Sequence, residues 1–186
     1  MSKPQGLHKR SWRVLDIGCG IGRVLKPLAP HFQELVGVDV SSEMIAQSKI
    51  WLADHPHITT YETSGVDLQE FPHNRFDLVY SYVAFQHMPH PVFNRYLGEI
   101  HRAMTPNGYL AFQLPIGHFR DVPLEDIIGI RSYPIHEIEE ILGRNGLELL
   151  NHTPSDLKSN DRSDPLNHRF HLAQKIGPAR PLTQED

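Results

Sequence analysis

The stretch from Val14 to Val40, VLDIGCGIGRVLKPLAPHFQELVGVDV, constrains the fold of this chain more than any other. An apolar run ends in Asp16, glycines follow at the alternate positions 18, 20 and 22, and a second β-branched run ends in Asp39. Strand, glycine turn, helix and second strand make a βαβ unit, which belongs to a mainly parallel sheet covered on both faces. In such a sheet, ligands sit beyond the carboxyl ends of the strands.

The glycines remove Cβ atoms where the chain turns sharply, so backbone N–H groups can approach a ligand. Asp39 offers two acceptor oxygens where a nucleoside places its ribose hydroxyls. The expected ligand is therefore a nucleoside. A dinucleotide fingerprint needs its third glycine where this chain has Arg23. A pyrophosphate would also meet the carboxylate of Asp16, and like charges repel. A cation suits this loop better, and S-adenosylmethionine, with a sulfonium and an ammonium beside its adenosine, fits more naturally than NAD.

At these residues the chain resembles the class I S-adenosylmethionine-dependent methyltransferases of the small-molecule type. VLDIGCGIGR is similar to the family's first motif, VGVDVS to its second, VDLQEFP to its adenine-side acid motif and FDLVYSYVAFQHMP to its fourth, followed by LGEIHRAMTPNGYLAF. The likeness covers residues 13 to 150 and continues more weakly to about 175. It implies an α/β, Rossmann-like methyltransferase fold. The expected sheet is seven-stranded and mainly parallel, with helices on both faces, an antiparallel C-terminal hairpin and a short or missing N-terminal cap.

The resemblance also implies roles for particular residues. Asp16 would orient the methionyl ammonium, and Gly18, Cys19, Gly20 and Gly22 would form the cradle. Asp39 would take the ribose, with Val40 and Met44 flanking the adenine. Asp67 would accept from the adenine amino group with the Leu68 backbone nearby. Ser81 and Tyr82 would line the floor near the methyl group. His87 fills the second place of a histidine pair common in this family, whose first place is Gln86 here.

Several of these residues have plainer readings. Cys19 is small enough to fit the loop and has no base placed beside it by the sequence. Met44 could be helix packing, Asp67 a turn or helix cap, and His87 a structural histidine holding the loop before Met88 and Pro89. The products of such a site would be a methylated acceptor and S-adenosylhomocysteine. A hydroxyl or carbon-acid acceptor needs deprotonation, for which His87 is the candidate, beside Tyr82, Gln113 and His118 as positioning groups.

The rest of the chain is consistent with one such domain, since 186 residues can bury a sizeable core. We expect an N-terminal extension at 1–12, the cofactor-binding domain at 13–175 and a disordered tail at 176–186. A net charge of −4 gives no bulk basic surface. Lys9, Arg10 and Arg13 are joined only by Trp12, too little for a nucleic-acid platform. The expected partner is a small-molecule acceptor, with neither membrane nor nucleic acid; oligomeric state is not encoded. One cysteine forbids an intrachain disulfide, and with no signal-like start the expected location is cytoplasmic. Thirteen histidines are scattered, HEIEE lacks a second histidine, and His87 and His90 are split by Pro89, so no metal is expected.

Strands are expected at 13–17, 34–40, 58–63, 76–82 and 109–114, and helices at 21–31, 42–54, 92–104 and 134–145. Pro27 and Pro30 should shorten or kink the first helix. LELLNHT and HRFHLAQK should pair antiparallel, joined by 154–167, and 115–133 should cover the ligand side of the fifth strand. Two alternatives stay open beside the methyltransferase: a nucleoside-binding domain without catalysis, and an NAD-dependent oxidoreductase.

Overall fold

The structure is a computed structural model and describes residues 11–118, 122, 129–150 and 168–178. These form a seven-stranded sheet in the order β3-β2-β1-β4-β5-β7-β6. Its strands are β1 (Arg13–Ile17), β2 (Glu34–Asp39), β3 (Ile58–Glu62), β4 (Phe76–Ser81), β5 (Met104–Pro115), β6 (Leu147–Leu149) and β7 (His168–Lys175). The first five run parallel, and β7 lies antiparallel between β5 and β6. The sheet and its antiparallel C-terminal pair are therefore as expected, while the expected short or missing N-terminal cap falls on residues 1–10, outside the described residues.

Side-chain alternation divides the core. Val14, Leu35 and Tyr80 face one cluster with Leu25 and Ala29 from the chain after β1 and Ile45 from α2 (Ser42–Trp51). Leu15, Val36 and Val79 face the other, with Phe93, Leu97 and Ile100 of α3 (His90–Ala103) and Ile138 and Ile141 of α4 (Ile135–Arg144). α3 and α4 thus each bury one apolar stripe on the sheet, the main source of their stability. Ser41 caps α2, accepting from the Met44 N–H at 3.3 Å, and Glu43 complements the dipole in the first turn.

The prolines act as expected. The segment after the glycine loop holds only a four-residue helix, α1 (Leu25–Leu28), then a 3₁₀ turn at Ala29–His31 with proline inside it. The chain still reaches β2 at the right depth because Gly37 gives way. A Cβ there would lie 2.7 Å from Cys19 Sγ and from Leu25 Cδ1, so only glycine lets the loop fold down over β2.

Two boundaries differ from expectation. β5 begins at Met104 rather than 109, directly where α3 ends, because β5 pairs with Phe76 at the very start of β4. Residues 176–178, expected in the tail, stay with the domain: Ile176 donates to the Gly146 carbonyl at 3.0 Å, and Gly177 offers its carbonyl to His101. Of the expected cover at 115–133, Ile116 bridges to Tyr133, while 119–121 and 123–128 lie outside the described residues, as do 151–167 and 179–186. Among the described residues no helix is long and apolar enough to cross a membrane.

Candidate functional site

Beyond the carboxyl ends of β1, β2 and β4 lies a cavity of about 500 Å³. Ile17 and Gly18 form its floor. One wall is Asp39 and Val40 with residues 63–65, and the other comes from the chain after β4 and from α3.

The glycine loop is turned inward. Gly18 and Cys19 both donate their N–H to the Val38 carbonyl, at 2.8 and 3.0 Å, and Gly22 donates to the Cys19 carbonyl at 2.9 Å. Gly20 donates to Asp39 Oδ2 at 2.8 Å, and Ser41 donates to Asp39 Oδ1 at 2.9 Å. Three of these loop N–H groups therefore hold the loop on β2 and the fourth closes the loop on itself, rather than forming an open anion nest. That differs from the reading in which loop N–H groups approach the ligand. Gly18, at φ +75°, has no room for a side chain, since a Cβ would sit 2.4 Å from Ala84 Cβ. The loop and the chain after β4 touch at this point, so the two halves of the cavity are fixed to each other.

Asp16 lies under this loop, opposite Gly37 on one side and Tyr80 on the other, and is 2% exposed. Burial pushes its carboxyl up to about 7; the charge of Asp39 adds to the rise and the Tyr80 hydroxyl opposes it. That hydroxyl is buried beside the acid without a hydrogen bond of ordinary geometry. A cation beside a carboxyl in this position favours its ionised form. Cys19 belongs to the core beneath Gly37, and burial, with the charges of Asp16 and Asp39, pushes its thiol well up. It is therefore inert as a nucleophile.

The chain after β4 makes the second wall. The Ser81 hydroxyl donates to the Ile17 carbonyl at 3.0 Å, so this residue ties β4 to β1 and keeps its side chain out of the cavity lining. Tyr82 is half exposed at the rim and stacks on Phe170, with centroids 5.9 Å apart and planes 10° from parallel. Val83 follows at φ +71°, an uncommon conformation for a β-branched residue that stores strain at the wall.

His87 borders the cavity with both ring nitrogens engaged. Nδ1 faces the Gly129 carbonyl at 3.2 Å, so it carries the proton, and Nε2 accepts from the Gln86 amide at 3.1 Å. Arg131 completes the clasp, donating its N–H to the Gln86 carbonyl at 2.9 Å and its guanidinium to the His87 carbonyl at 2.8 Å. The turn at Phe85–His87 is thereby stitched to residues 129–131. Gln86 Oε1 is buried without a hydrogen-bond partner.

With this geometry established, a model of the methyltransferase domain matches residues 14–108. The chain belongs to the class I S-adenosylmethionine-dependent methyltransferases. It is 34% identical over 109 residues to a trans-aconitate 2-methyltransferase of Deinococcus radiodurans, covering 57% of this chain and 39% of that protein. It is 33% identical over 99 residues to a ubiquinone biosynthesis O-methyltransferase of Rhodopseudomonas palustris, covering 53% of this chain and 38% of that protein. The chain thus spans about two fifths of the length of these relatives. In fold it is similar to an S-adenosylmethionine-dependent methyltransferase of Mesorhizobium loti, with a TM-score of 0.67 at 19% identity over 90% of this chain and 93% of that one. It is also similar to a Haemonchus contortus phosphoethanolamine N-methyltransferase in complex with S-adenosyl-L-methionine, with a TM-score of 0.68 at 22% identity over 93% of this chain and 50% of that one.

Against the expectations for this methyltransferase family, the cavity brings together Gly18, Asp39, Val40, Tyr82 and His87. It leaves Asp67 and Leu68 aside. The Asp67 carboxylate lies 3.9 Å from the Arg95 guanidinium, and Leu68 is fully buried with its N–H on Glu99 Oε2 at 3.1 Å. Arg102 pins the same loop to α3 through the carbonyls of Leu68 and Phe71, each at 2.8 Å. Thr63, Ser64 and Gly65 take that wall instead, with Gly65 so close to Val40 that a Cβ would lie 2.5 Å from its Cγ1. Met44 does not border the cavity, and neither does buried Gly22, which packs on Leu52. The sequence signal for 63–65 was the end of β3 itself, because ligands sit beyond strand ends. Tyr96 and Val92 of α3, which also line the site, carried only a core-like helical spacing.

Proposed function

We propose that this chain binds S-adenosylmethionine in the cavity and transfers its methyl group to O, N or C of a small-molecule acceptor by in-line displacement, leaving S-adenosylhomocysteine. The observation that carries this reading is the inward turn of the glycine loop. Four of its N–H groups are spent on Val38, Cys19 and Asp39, and carboxyl groups dominate what remains. Such a site suits a cation and repels the pyrophosphate of NAD. It also fits the family's cofactor, with Asp39 toward the ribose, Val40 and residues 63–65 beside the base, and Asp16 beneath the loop on the ammonium side.

The bound cofactor supplies an activated methyl on a sulfonium. The chain's own residues have the remaining work, which is alignment and exclusion of water. Asp39 keeps one lone pair on each oxygen for hydroxyl donors while it holds the Gly20 and Ser41 amides. Ser81 fixes the floor through the Ile17 carbonyl. Tyr82 and His87 border the place where an acceptor must lie, and His87, with Nε2 held by the Gln86 amide and Nδ1 by the Gly129 carbonyl, positions that wall.

Calorimetry with S-adenosylmethionine, S-adenosylhomocysteine and NAD, followed by a homocysteine-release assay over small acceptors, tests this reading. Binding of both sulfur nucleosides and turnover of at least one acceptor are expected. Tight NAD binding with neither sulfur nucleoside bound would overturn it.

A further inference from the structure

Beneath the glycine loop lies a polar group with nothing to bond to. The Tyr80 hydroxyl of β4 is buried without a hydrogen-bond partner, on a residue that is 8% exposed. Buried polar groups are nearly always paired, so an orphan of this kind calls for an explanation. Burial and the nearby Asp16 hold the phenol in its protonated form, so it keeps a proton to donate.

Strand register places that hydroxyl. Asp16 on β1 is paired with Gly37 on β2 and with Tyr80 on β4, and paired residues of neighbouring strands face the same side of the sheet. Glycine offers no side chain from the β2 side. The groups whose charge or hydrogen bonding bears on Asp16 are Asp39, Cys19 and Tyr80. Asp39 is an acid and repels, and the Cys19 thiol is turned to the Gly20 carbonyl at 3.5 Å. Of the three, only Tyr80 is left to give the Asp16 carboxylate a hydrogen bond. In the ligand-free protein that acid holds its proton up to about pH 7, and the hydroxyl stands beside it without an acceptor in proper geometry.

We infer that Tyr80 is a positioning residue of the cofactor site, whose orphaned hydroxyl closes on the Asp16 carboxylate when a cationic ligand draws that acid into its ionised form. This rests on the methyltransferase reading above, in which Asp16 serves the ammonium side, and deepens it. The bond from Tyr80 fixes the direction of the carboxylate through β4 and leaves its other lone pairs for the ammonium. A hydroxyl satisfied only once Asp16 is ionised adds to affinity, and it gives the empty protein no stability while that acid is protonated.

Tyr80→Phe deletes the hydroxyl and keeps the ring, and calorimetry at pH 8 reads the change with two probes. S-adenosylhomocysteine carries the ammonium, and 5′-methylthioadenosine is the same nucleoside thioether without the amino-acid end. Tyr80→Phe is expected to bind the first at least tenfold more weakly than the natural chain does, and the second with affinity unchanged. The pH at which affinity for S-adenosylhomocysteine rises should move up by about one unit. In urea unfolding without ligand, Tyr80→Phe is expected to match or exceed the natural chain at pH 5. Its loss of stability with rising pH should level off about one unit higher, because removing the donor raises the folded-state pKa of Asp16 further. An equal loss of affinity for both nucleosides overturns the inference, as does unchanged affinity for S-adenosylhomocysteine or a ligand-free pH curve of unchanged shape. A Tyr80→Phe chain that is misfolded or less stable at pH 5 overturns it too, since the hydroxyl would then be holding the fold itself. Binding of neither nucleoside by the natural chain counts instead against the methyltransferase reading, and the ligand-free curves then stand alone as the test of the Tyr80–Asp16 contact.

Discussion

Asp16→Asn separates what the site does for stability from what it does for binding. The carboxyl is 2% exposed and its pKa rises from 3.8 to about 7, chiefly through burial. The unfolded chain ionises near 3.8 and the folded chain near 7, so between these values the folded state holds the extra proton. Stability is then greatest below pH 4, falls as pH rises through this window, and levels off above 7. At 1.36 kcal/mol per pH unit, the ionised carboxyl costs the unliganded protein about 4 kcal/mol above pH 7, of which about 3 kcal/mol is lost between pH 5 and 8. Asparagine keeps the shape and removes the charge. In urea unfolding without ligand, the natural chain should lose about 3 kcal/mol more than Asp16→Asn on going from pH 5 to 8.

Binding should move the opposite way. A cationic ammonium favours the ionised form, so affinity of the natural chain for S-adenosylhomocysteine should rise as pH passes through 7, and Asp16→Asn should bind weakly without that rise. A stability gain linked to an affinity loss is expected of an acid strained by burial until its ligand arrives. Parallel pH–stability curves for the two proteins would refute the argument. They would mean that water or a partner already satisfies Asp16 in the unliganded protein.

Three further changes probe the rest of the site. Asp39→Ala should abolish binding of both sulfur nucleosides, and unfolding should cost about 1–3 kcal/mol less because the Gly20 and Ser41 amides lose their acceptor; unchanged calorimetric affinity would show the ribose to lie elsewhere. Gly18→Ala should lower the midpoint of thermal unfolding through a loss of about 1–3 kcal/mol, since the new methyl meets Ala84 at 2.4 Å in a φ +75° conformation; a stability equal to the natural chain would contradict that contact. His87→Ala should loosen the clasp to residues 129–131, raising the acceptor KM with cofactor affinity intact and the shape of the pH–rate profile retained. Loss of the ascending limb of that profile would instead make His87 the base.

Much of this fold is legible in the sequence because its signals are local and agree with one another. The strands β1, β2 and β4 are short apolar runs ending in polar residues, and the glycine loop between acids at 16 and 39 leaves few other ways to fold. The prolines at 27 and 30 foretell the broken helix correctly, because each removes a backbone donor whatever surrounds it. The placements that escaped sequence reading depend on tertiary partners. Asp67 stands in a motif-like setting, yet Glu99 and Arg102, more than 30 residues later on α3, grip the neighbouring Leu68 and Phe71 and hold that loop away from the cavity. The direction of the loop N–H groups was likewise invisible, since it is set by the Val38 carbonyl on the adjacent strand. The same dependence explains why the first wall of the cavity reads more clearly than the second. Asp16, Gly18 and Asp39 lie within 24 residues of chain, on or directly after β1 and β2. The second wall of the cavity takes Tyr82, Met88, Val92 and Tyr96 from two elements, and its clasp comes from Gly129 and Arg131, some 40 residues further on. A wall assembled from such separate pieces leaves no motif, and it appears only once the pieces stand together.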